Sequence, residues 1–238
     1  MLKLRLFKTL QGGCLLGIAA LFLGLPPAPA RAQARKALQA QIRIFKPECS
    51  STDTVDVAQA IRDASALLQQ RCGLRLRLVG EQSLPVASDW CHLPASPGER
   101  AALLRTLAAA AKAAHPRELA LFLLPSSADP RLSWAFIDTS LRAGCDSPQE
   151  PRFLARFGSL FFTDATWAAS LPRRGDPGPS RAALLVAHEV LHSLTQRGHP
   201  TGVGRGYVMA DHVADIGEKI GDDWCACAQQ SPYLEGPR

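Results

Sequence analysis

The segment His188-Glu189-Val190-Leu191-His192 places two imidazoles and one carboxylate within five consecutive residues. On an α-helix, side chains four residues apart lie on the same face, so both imidazoles can bind one metal ion. The preceding residues, 182–187, are all apolar, which predicts that this helix is buried. Two buried histidines without a shared ligand would leave polar atoms unsatisfied, and that is costly. The spacing therefore predicts a zinc site on a buried helix.

Glu189 is the third chemical group of this segment. Zinc in catalytic sites takes three protein ligands and keeps one position for water, whose pKa it lowers to about 7. A neighbouring carboxylate can take the proton from that water and later deliver it to a leaving amine. We therefore predict that His188 and His192 are zinc ligands, that Glu189 is the general base, and that the reaction is peptide-bond hydrolysis.

A third ligand has to come from elsewhere, and the sequence offers two residues for that role. His199 follows Gly198, which can take a positive φ, end the helix and let the chain turn back toward the metal. Glu218 is the alternative, because Glu218 and Asp222 have the E-x-x-x-D spacing of the gluzincin peptidases, in which the glutamate binds zinc from a second helix. We favour His199, since Asp222 and Asp223 indicate that Glu218 belongs to a solvated, charged helix face.

The stretch 184–211 resembles the metzincin zinc peptidases, whose pattern is H-E-x-x-H-x-x-G-x-x-H followed by a tight turn that contains methionine. Tyr207-Val208-Met209-Ala210 is similar to that Met-turn, which in the family underlies the metal site. Two positions depart from the pattern: Thr195 stands where the family has glycine, and the third histidine comes one residue late. The resemblance implies a zinc endopeptidase with His199 as the third ligand and a longer helix, in which Gly198 makes the turn.

The elements that must position these side chains follow from the hydrophobic periodicity of the chain. Gly73 and Ser180 mark a helix end and a helix start. The predicted strands are 41–45, 74–79, 119–124, 134–138 and 158–163, and the predicted helices are 54–71, 97–114, 180–196 and 211–228. This order predicts an α/β (α+β) fold of the zincin or metzincin type, with a mixed twisted sheet packed on helices. The active-site helix is expected to be followed by the Met-turn and a C-terminal helix.

The N-terminal segment, 1–32, has the three parts of a secretory signal peptide. A basic start precedes an apolar run, 14–25, that is too short to span a bilayer comfortably. Ala30-Arg31-Ala32 is an A-x-A cleavage pattern. We predict cleavage after this pattern, which would leave a single domain, 33–238, without a membrane anchor.

The charge of the chain is concentrated in the predicted signal peptide. That segment carries four of the 27 basic residues and no acidic residue, so the net charge of the remainder falls from +6 to +2. No cluster of lysines and arginines remains that would bind nucleic acid. Together with the Ala/Arg-rich composition, the signal peptide predicts an exported bacterial protein that is secreted or periplasmic.

Six cysteines follow the signal peptide, at positions Cys49, Cys72, Cys91, Cys145, Cys225 and Cys227. An even number in an exported chain predicts up to three disulfides, and six cysteines allow about 15 connectivities. We expect Cys91 to pair with Cys145, which would tie two long loops together. Cys225 and Cys227 are expected to bond elsewhere and not to each other, because a bridge between near neighbours on a helix strains the backbone.

The expected partner is a peptide or protein substrate that lies along an edge strand by strand addition. Two other functions fit the same residues. One is an exported domain that binds zinc without turnover, and the other is a gluzincin-type peptidase with Glu218 as the third ligand. The residues of the substrate pocket lie in loops, so the sequence predicts neither the cleavage specificity nor the oligomeric state.

Overall fold

The computed structural model describes residues 38–84, 91, 94–125, 133–135, 158–170, 179–199, 204–210 and 215–235. The predicted signal peptide, 1–32, lies outside the described residues, as do Cys145 and the end of the predicted strand 134–138. No helix in the described part of the chain is long and apolar enough to cross a membrane.

The described elements alternate between strands and helices along the chain. They are β1 (Leu38–Pro47), α1 (Thr54–Cys72), β2 (Leu74–Leu84), α2 (Pro97–Ala114), β3 (Leu119–Leu124), β4 (Ser133–Ala135), β5 (Ser159–Thr163), α3 (Asp164–Ser170), α4 (Arg181–Thr195), α5 (Asp222–Ala228) and β6 (Leu234–Glu235). The strand order of the sheet is β2-β1-β3-β5-β4, with β6 paired to the start of β1. The strands β2, β1, β3 and β5 are parallel to their neighbours, whereas β4 and β6 are antiparallel to theirs.

The strand β3 shows how one segment builds both sides of the core. All six of its residues are apolar and buried, and successive side chains of a strand point to opposite faces. Leu121 packs with α1 and α4 on one face, and Phe122 packs with α2 on the other. The Phe122 ring stacks on Phe161 of β5 at 4.9 Å between ring centroids. Truncation of a buried aromatic residue of this kind to alanine costs about 3–5 kcal/mol.

The predicted fold class is confirmed: a mixed sheet packs against helices on both of its faces. The helix 97–114 and the strand 119–124 have the predicted bounds, and the helix predicted over 54–71 ends one residue later, at Cys72. Gly73 ends it in the left-handed conformation, with φ of 67°, as its position predicts.

The last predicted helix, 211–228, is wrong over 215–221, and residues 211–214 lie outside the described residues. The helix begins only at Asp222. Residues 215–219 instead form backbone hydrogen bonds with 206–208, from Gly206 N–H to Asp215 O at 2.8 Å and from Val208 N–H to Lys219 O at 2.7 Å. These pairings satisfy the backbone groups that a helix would otherwise use, so tertiary contacts override the local preference.

The expected disulfide between Cys91 and Cys145 is wrong, because Cys91 pairs with Cys49. The cause is the register of the sheet: β1 and β2 are parallel neighbours, and their last residues, Pro47 and Leu84, lie opposite each other. The loops that leave these two strands therefore start at the same edge.

A second disulfide joins Cys72, at the end of α1, to Cys225 on α5. Cys227 is disulfide-bonded as well. The expectation that Cys225 and Cys227 do not bond to each other is confirmed for Cys225.

Candidate metal centre

The first two candidate ligands lie on the helix α4, which is buried. Ser180 caps it, since the Ser180 hydroxyl accepts a hydrogen bond from the Ala183 N–H at 3.1 Å, and every residue from Ala182 to Thr195 is buried. His188 and His192 lie one turn apart on one face of this helix, and they are 5% and 6% exposed. A buried helix offers a rigid base for ligands, because its side chains are fixed by packing on every side.

The three candidate histidines converge on one point. The Nε2 atoms of His188, His192 and His199 form a triangle whose sides are all 3.1 Å. Ligands that bind one tetrahedral zinc ion at about 2.0–2.1 Å lie about 3.3 Å from one another, so the triangle has the dimensions of a zinc site. These three residues form a group of the right composition and spacing to hold a metal ion.

The ring nitrogens on the other side of the two buried imidazoles decide which atoms can bind a metal. His188 Nδ1 lies 2.6 Å from the Val208 carbonyl oxygen, and His192 Nδ1 lies 2.6 Å from the Arg197 carbonyl oxygen. A carbonyl oxygen only accepts hydrogen bonds, so each Nδ1 carries the hydrogen and donates it. In a neutral imidazole the Nε2 atom is then unprotonated, and its lone pair faces the centre of the triangle.

Two such lone pairs at 3.1 Å repel each other unless a cation lies between them. The donor set therefore fits a divalent metal ion, and hydrogen bonding of each Nδ1 to a carbonyl is the usual way in which proteins orient ligand histidines.

Burial also keeps the two helix histidines in the form that binds metal. Desolvation by burial lowers the pKa of His188 to about 4, against the opposing effect of its hydrogen bond to the Val208 carbonyl. Burial, together with the neighbouring His188, lowers the pKa of His192 to about 3. Both rings are therefore neutral at neutral pH, and neutral imidazole is a common ligand of zinc.

A turn directly after α4 brings His199 to the site. The residue with the left-handed conformation is Gln196, with φ of 55°, and its backbone N–H donates to the His192 carbonyl at 2.8 Å. The predicted turning role of Gly198 is therefore wrong, because the helix ends at Thr195, three residues before that glycine, and Gln196 takes the left-handed conformation. His199 is exposed, whereas the two helix histidines are buried, so this side of the centre is the one that faces solvent.

The stretch Tyr207–Ala210, whose resemblance implies a Met-turn, forms a tight turn closed by the Ala210 N–H and the Tyr207 carbonyl at 3.3 Å. Met209 is buried at 2% exposure in the same core as the apolar residues of α4. Val208 turns its carbonyl to His188, as described above. This contact places the turn directly against the imidazole of one candidate ligand.

Glu189 follows His188 on α4 and is only 3% exposed. Glu218, the alternative third ligand, lies elsewhere: it is exposed, belongs to no helix and lines an open surface hollow together with Asp63 and Gln70 of α1. The prediction that Glu218 lies on a second helix, as a gluzincin ligand does, is therefore wrong. Among the described residues, the group that could hold a metal consists of the three histidines alone.

Sequence reasoning missed the groups that support the imidazoles. The carbonyls of Val208 and Arg197 belong to no motif, because any residue type supplies a carbonyl. Trp224, at the start of α5, packs edge-on against the His192 ring with 6.3 Å between ring centroids. In the sequence, only the position of Trp224 next to Cys225 indicates that this residue lies in a fixed part of the fold.

Neither a protein-family model nor a curated protein sequence matches this chain. Among solved structures, it is similar to a chain in a structure described as a chaperone–substrate complex, with a TM-score of 0.48 and 13% identity over 84% of this chain and 35% of that chain. It is also similar to metalloproteinase-II from Bacteroides fragilis, with a TM-score of 0.48 and 13% identity over 83% of this chain and 54% of that chain. The chain thus spans about a third and about half of the two proteins, and a likeness this distant carries no argument about activity.

Proposed function

We propose that this chain is an exported zinc-dependent endopeptidase in which His188, His192 and His199 bind zinc and Glu189 is the general base. The observation that carries the proposal is the triangle of Nε2 atoms with 3.1 Å sides, into which both helix histidines direct their lone pairs. Three nitrogen ligands with tetrahedral spacing leave the fourth position for water, as in catalytic zinc sites.

A bound zinc ion would supply Lewis acidity, which polarises the scissile carbonyl and makes water acidic. Glu189 would take the proton from the attacking water and deliver it to the leaving amine. This carboxylate is buried and directly follows His188 on α4. The carbonyls of Val208 and Arg197 keep the two helix imidazoles in the metal-binding tautomer throughout.

The peptide substrate would lie along β4. This strand is at one edge of the described sheet, runs antiparallel to β5 and contacts the metal-bearing helix α4. The free backbone groups of an edge strand can pair with an extended peptide, which gives recognition of the main chain with little dependence on side chains.

Export is the third part of the proposal. The structure contains the disulfides Cys49–Cys91 and Cys72–Cys225, and disulfides persist in oxidising compartments outside the cytosol. The signal-peptide pattern of 1–32 supports the same localisation, secreted or periplasmic in a bacterium.

The Glu189→Gln variant tests the chemistry. We expect the purified native chain to hold one zinc per chain by elemental analysis and to cleave unfolded casein. The variant should keep the zinc and lose about 10²–10⁴-fold in cleavage rate, because the amide cannot accept the proton. Glu218→Gln is the matched control, since it changes an exposed glutamate in the same way, and it should leave zinc content and cleavage unchanged.

The outcomes separate the possible functions. A native chain without stoichiometric metal contradicts the metal centre. Zinc without cleavage of casein or of any peptide in a random library identifies a zinc-binding domain without turnover. Full cleavage by the Glu189→Gln variant contradicts the role of that residue as the base.

A further inference from the structure

We infer that the short helix α5 is a positioning element for the metal centre, and that it acts on His192 through Trp224 and Arg197. The inference rests on the proposed metal centre and concerns how tightly that centre holds its metal. Neither residue would contact the ion. Both act through the imidazole and through the carbonyl that orients it.

The helix α5 is fixed to the fold by covalent and polar links. Cys225 is disulfide-bonded to Cys72 at the end of α1, and Cys227 is disulfide-bonded as well. Just after the helix, the Gln229 side-chain amide donates a hydrogen bond to the Cys72 carbonyl at 2.6 Å. The helix is therefore tied to the last turn of α1, which itself packs against α4.

From this fixed base, two residues reach the metal centre. Trp224 is 6% exposed, and its ring meets the His192 ring edge-on, at 6.3 Å and an interplanar angle of 79°. Asp223 binds Arg197 through an ion pair of 3.1 Å between Oδ2 and Nη1. The Arg197 guanidinium also lies over the Trp224 ring, 5.7 Å from its centroid, in a cation–π contact.

Arg197 connects these contacts to the ligand geometry. Its carbonyl accepts the hydrogen bond from His192 Nδ1 at 2.6 Å, and it lies on the short turn between His192 and His199. A shift of this turn would disturb the hydrogen bond that holds His192 in its tautomer. It would also move His199, the other ligand next to this turn. Outer groups that orient ligand histidines typically change metal affinity by about 10–100-fold when they are removed.

The experiment compares two tryptophans that are both buried. Trp224→Leu removes the ring that packs on His192, whereas Trp167→Leu removes a ring on α3 that is 2% exposed and packs on Phe162 instead. Both variants lose similar apolar contact, so both should be less stable. We expect only Trp224→Leu to lose zinc affinity, by about tenfold, in competition with a chromophoric chelator. Trp224→Phe should restore most of the affinity, because it keeps an aromatic edge at this position.

Cobalt absorption supplies a second readout that a general loss of stability does not move. With Co²⁺ in place of Zn²⁺, the ligand-field bands of the Trp224→Leu variant should shift in position or intensity, while those of Trp167→Leu should match the native chain. Equal zinc affinity and equal Co²⁺ spectra for Trp224→Leu and the native chain would overturn the inference.

A second variant covers the case in which Trp224→Leu does not fold. Arg197→Met removes the guanidinium and keeps the carbonyl, so it releases the turn from α5 without removing the acceptor of His192. We expect a several-fold loss of zinc affinity in a folded protein, and native affinity in this variant would overturn the inference. Failure of the native chain to bind zinc at all would instead contradict the proposed function.

Discussion

Both buried imidazoles of the centre donate to a backbone carbonyl at the same distance, but the segments that carry the two carbonyls are held in different ways. His188 donates to the Val208 carbonyl and His192 to the Arg197 carbonyl, both at 2.6 Å. The Val208 segment is held by backbone hydrogen bonds to residues 215–219. The Arg197 segment is held by the side chains of Asp223 and Trp224.

This difference determines which substitutions each support tolerates. Backbone hydrogen bonds do not depend on the residue type, so the His188 support should accept most side-chain changes. It should fail only where two backbone segments approach each other closely. The His192 support consists of side-chain contacts and a disulfide-anchored helix, so it should respond to changes in those side chains and to reduction. His188 and His192 are thus oriented in the same way, but different substitutions should disturb each of them.

Gly217→Ala should have the largest effect on zinc affinity, because it disturbs the backbone-held support where the two segments of the chain cross. An added Cβ at Gly217 would lie 2.5 Å from the Gly206 Cα and 2.6 Å from its carbonyl oxygen, so the two segments must separate. We expect a loss of about 1–3 kcal/mol in the free energy of unfolding and a loss of up to about 100-fold in zinc affinity. Chemical denaturation and chelator competition measure the two quantities.

Gly204→Ala is the control for this change, since a Cβ at Gly204 meets no atom of the described residues within 4 Å. It should be close to native in both measurements. If the two alanine variants behaved alike, the close crossing of Gly206 and Gly217 would have no part in holding His188.

The double variant Cys72→Ser, Cys225→Ser should have the next largest effect on zinc affinity, because it removes the disulfide that links α5 to α1 on the side of His192. A disulfide that spans 153 residues stabilises mainly by restricting the unfolded chain, and its loss costs about 2–5 kcal/mol. Zinc affinity should fall by about tenfold, since Trp224 and Asp223 are no longer held against the turn.

The comparison for this variant is Cys49→Ser, Cys91→Ser, which removes the other described disulfide, between the loops after β1 and β2. It should lower stability without a change in zinc affinity. Equal losses of zinc affinity in both double variants would mean that any disulfide supports the centre in a general way, and the contrast between the two supports would disappear.

Lys112→Met should leave the centre unchanged and alter only the pH dependence of stability. Lys112 belongs to α2, on the opposite face of the sheet, where it donates to the Glu118 carbonyl and lies 4.6 Å from the centroid of the Tyr233 ring. Burial lowers the pKa of Lys112 from 10.5 to about 7, against the attraction of Glu118.

The sign of this effect follows from proton binding. Between about pH 7 and pH 10 the unfolded chain keeps the Lys112 proton and the folded chain loses it, so the contribution of this group to the free energy of unfolding increases with pH. The slope is at most about 1.4 kcal/mol per pH unit. Urea denaturation from pH 7 to 9.5 should show a smaller slope in Lys112→Met, with unchanged zinc affinity. A changed affinity would mean that the two faces of the sheet are coupled.

The sequence predicts the parts of this fold that depend on local patterns. The continuous apolar run 119–124 needs no partner to be recognised as a buried strand, and Ser180 and Gly73 mark helix ends by their own chemistry. The i, i+4 spacing of His188 and His192 likewise follows from helix geometry alone.

The parts that the sequence does not predict depend on contacts between distant segments. The segment 215–221 has helical spacing, but it pairs with 206–208, and no local pattern shows that pairing. The Cys49–Cys91 bridge depends on which strands are neighbours, which becomes known only with the sheet order. The role of Gln196 as the left-handed residue is hidden as well, because glycine is the residue type that favours this conformation.

The disulfide between Cys72 and Cys225 also determines when α5 becomes attached to α1. Cys225 is made long after Cys72, and in a reducing cytosol the two thiols stay apart, so α5 is not yet fastened. Under the proposed function, a molecule made in a reducing compartment would bind zinc weakly, and it would bind zinc tightly only after this pair is oxidised. The double-serine variant mimics the reduced stage.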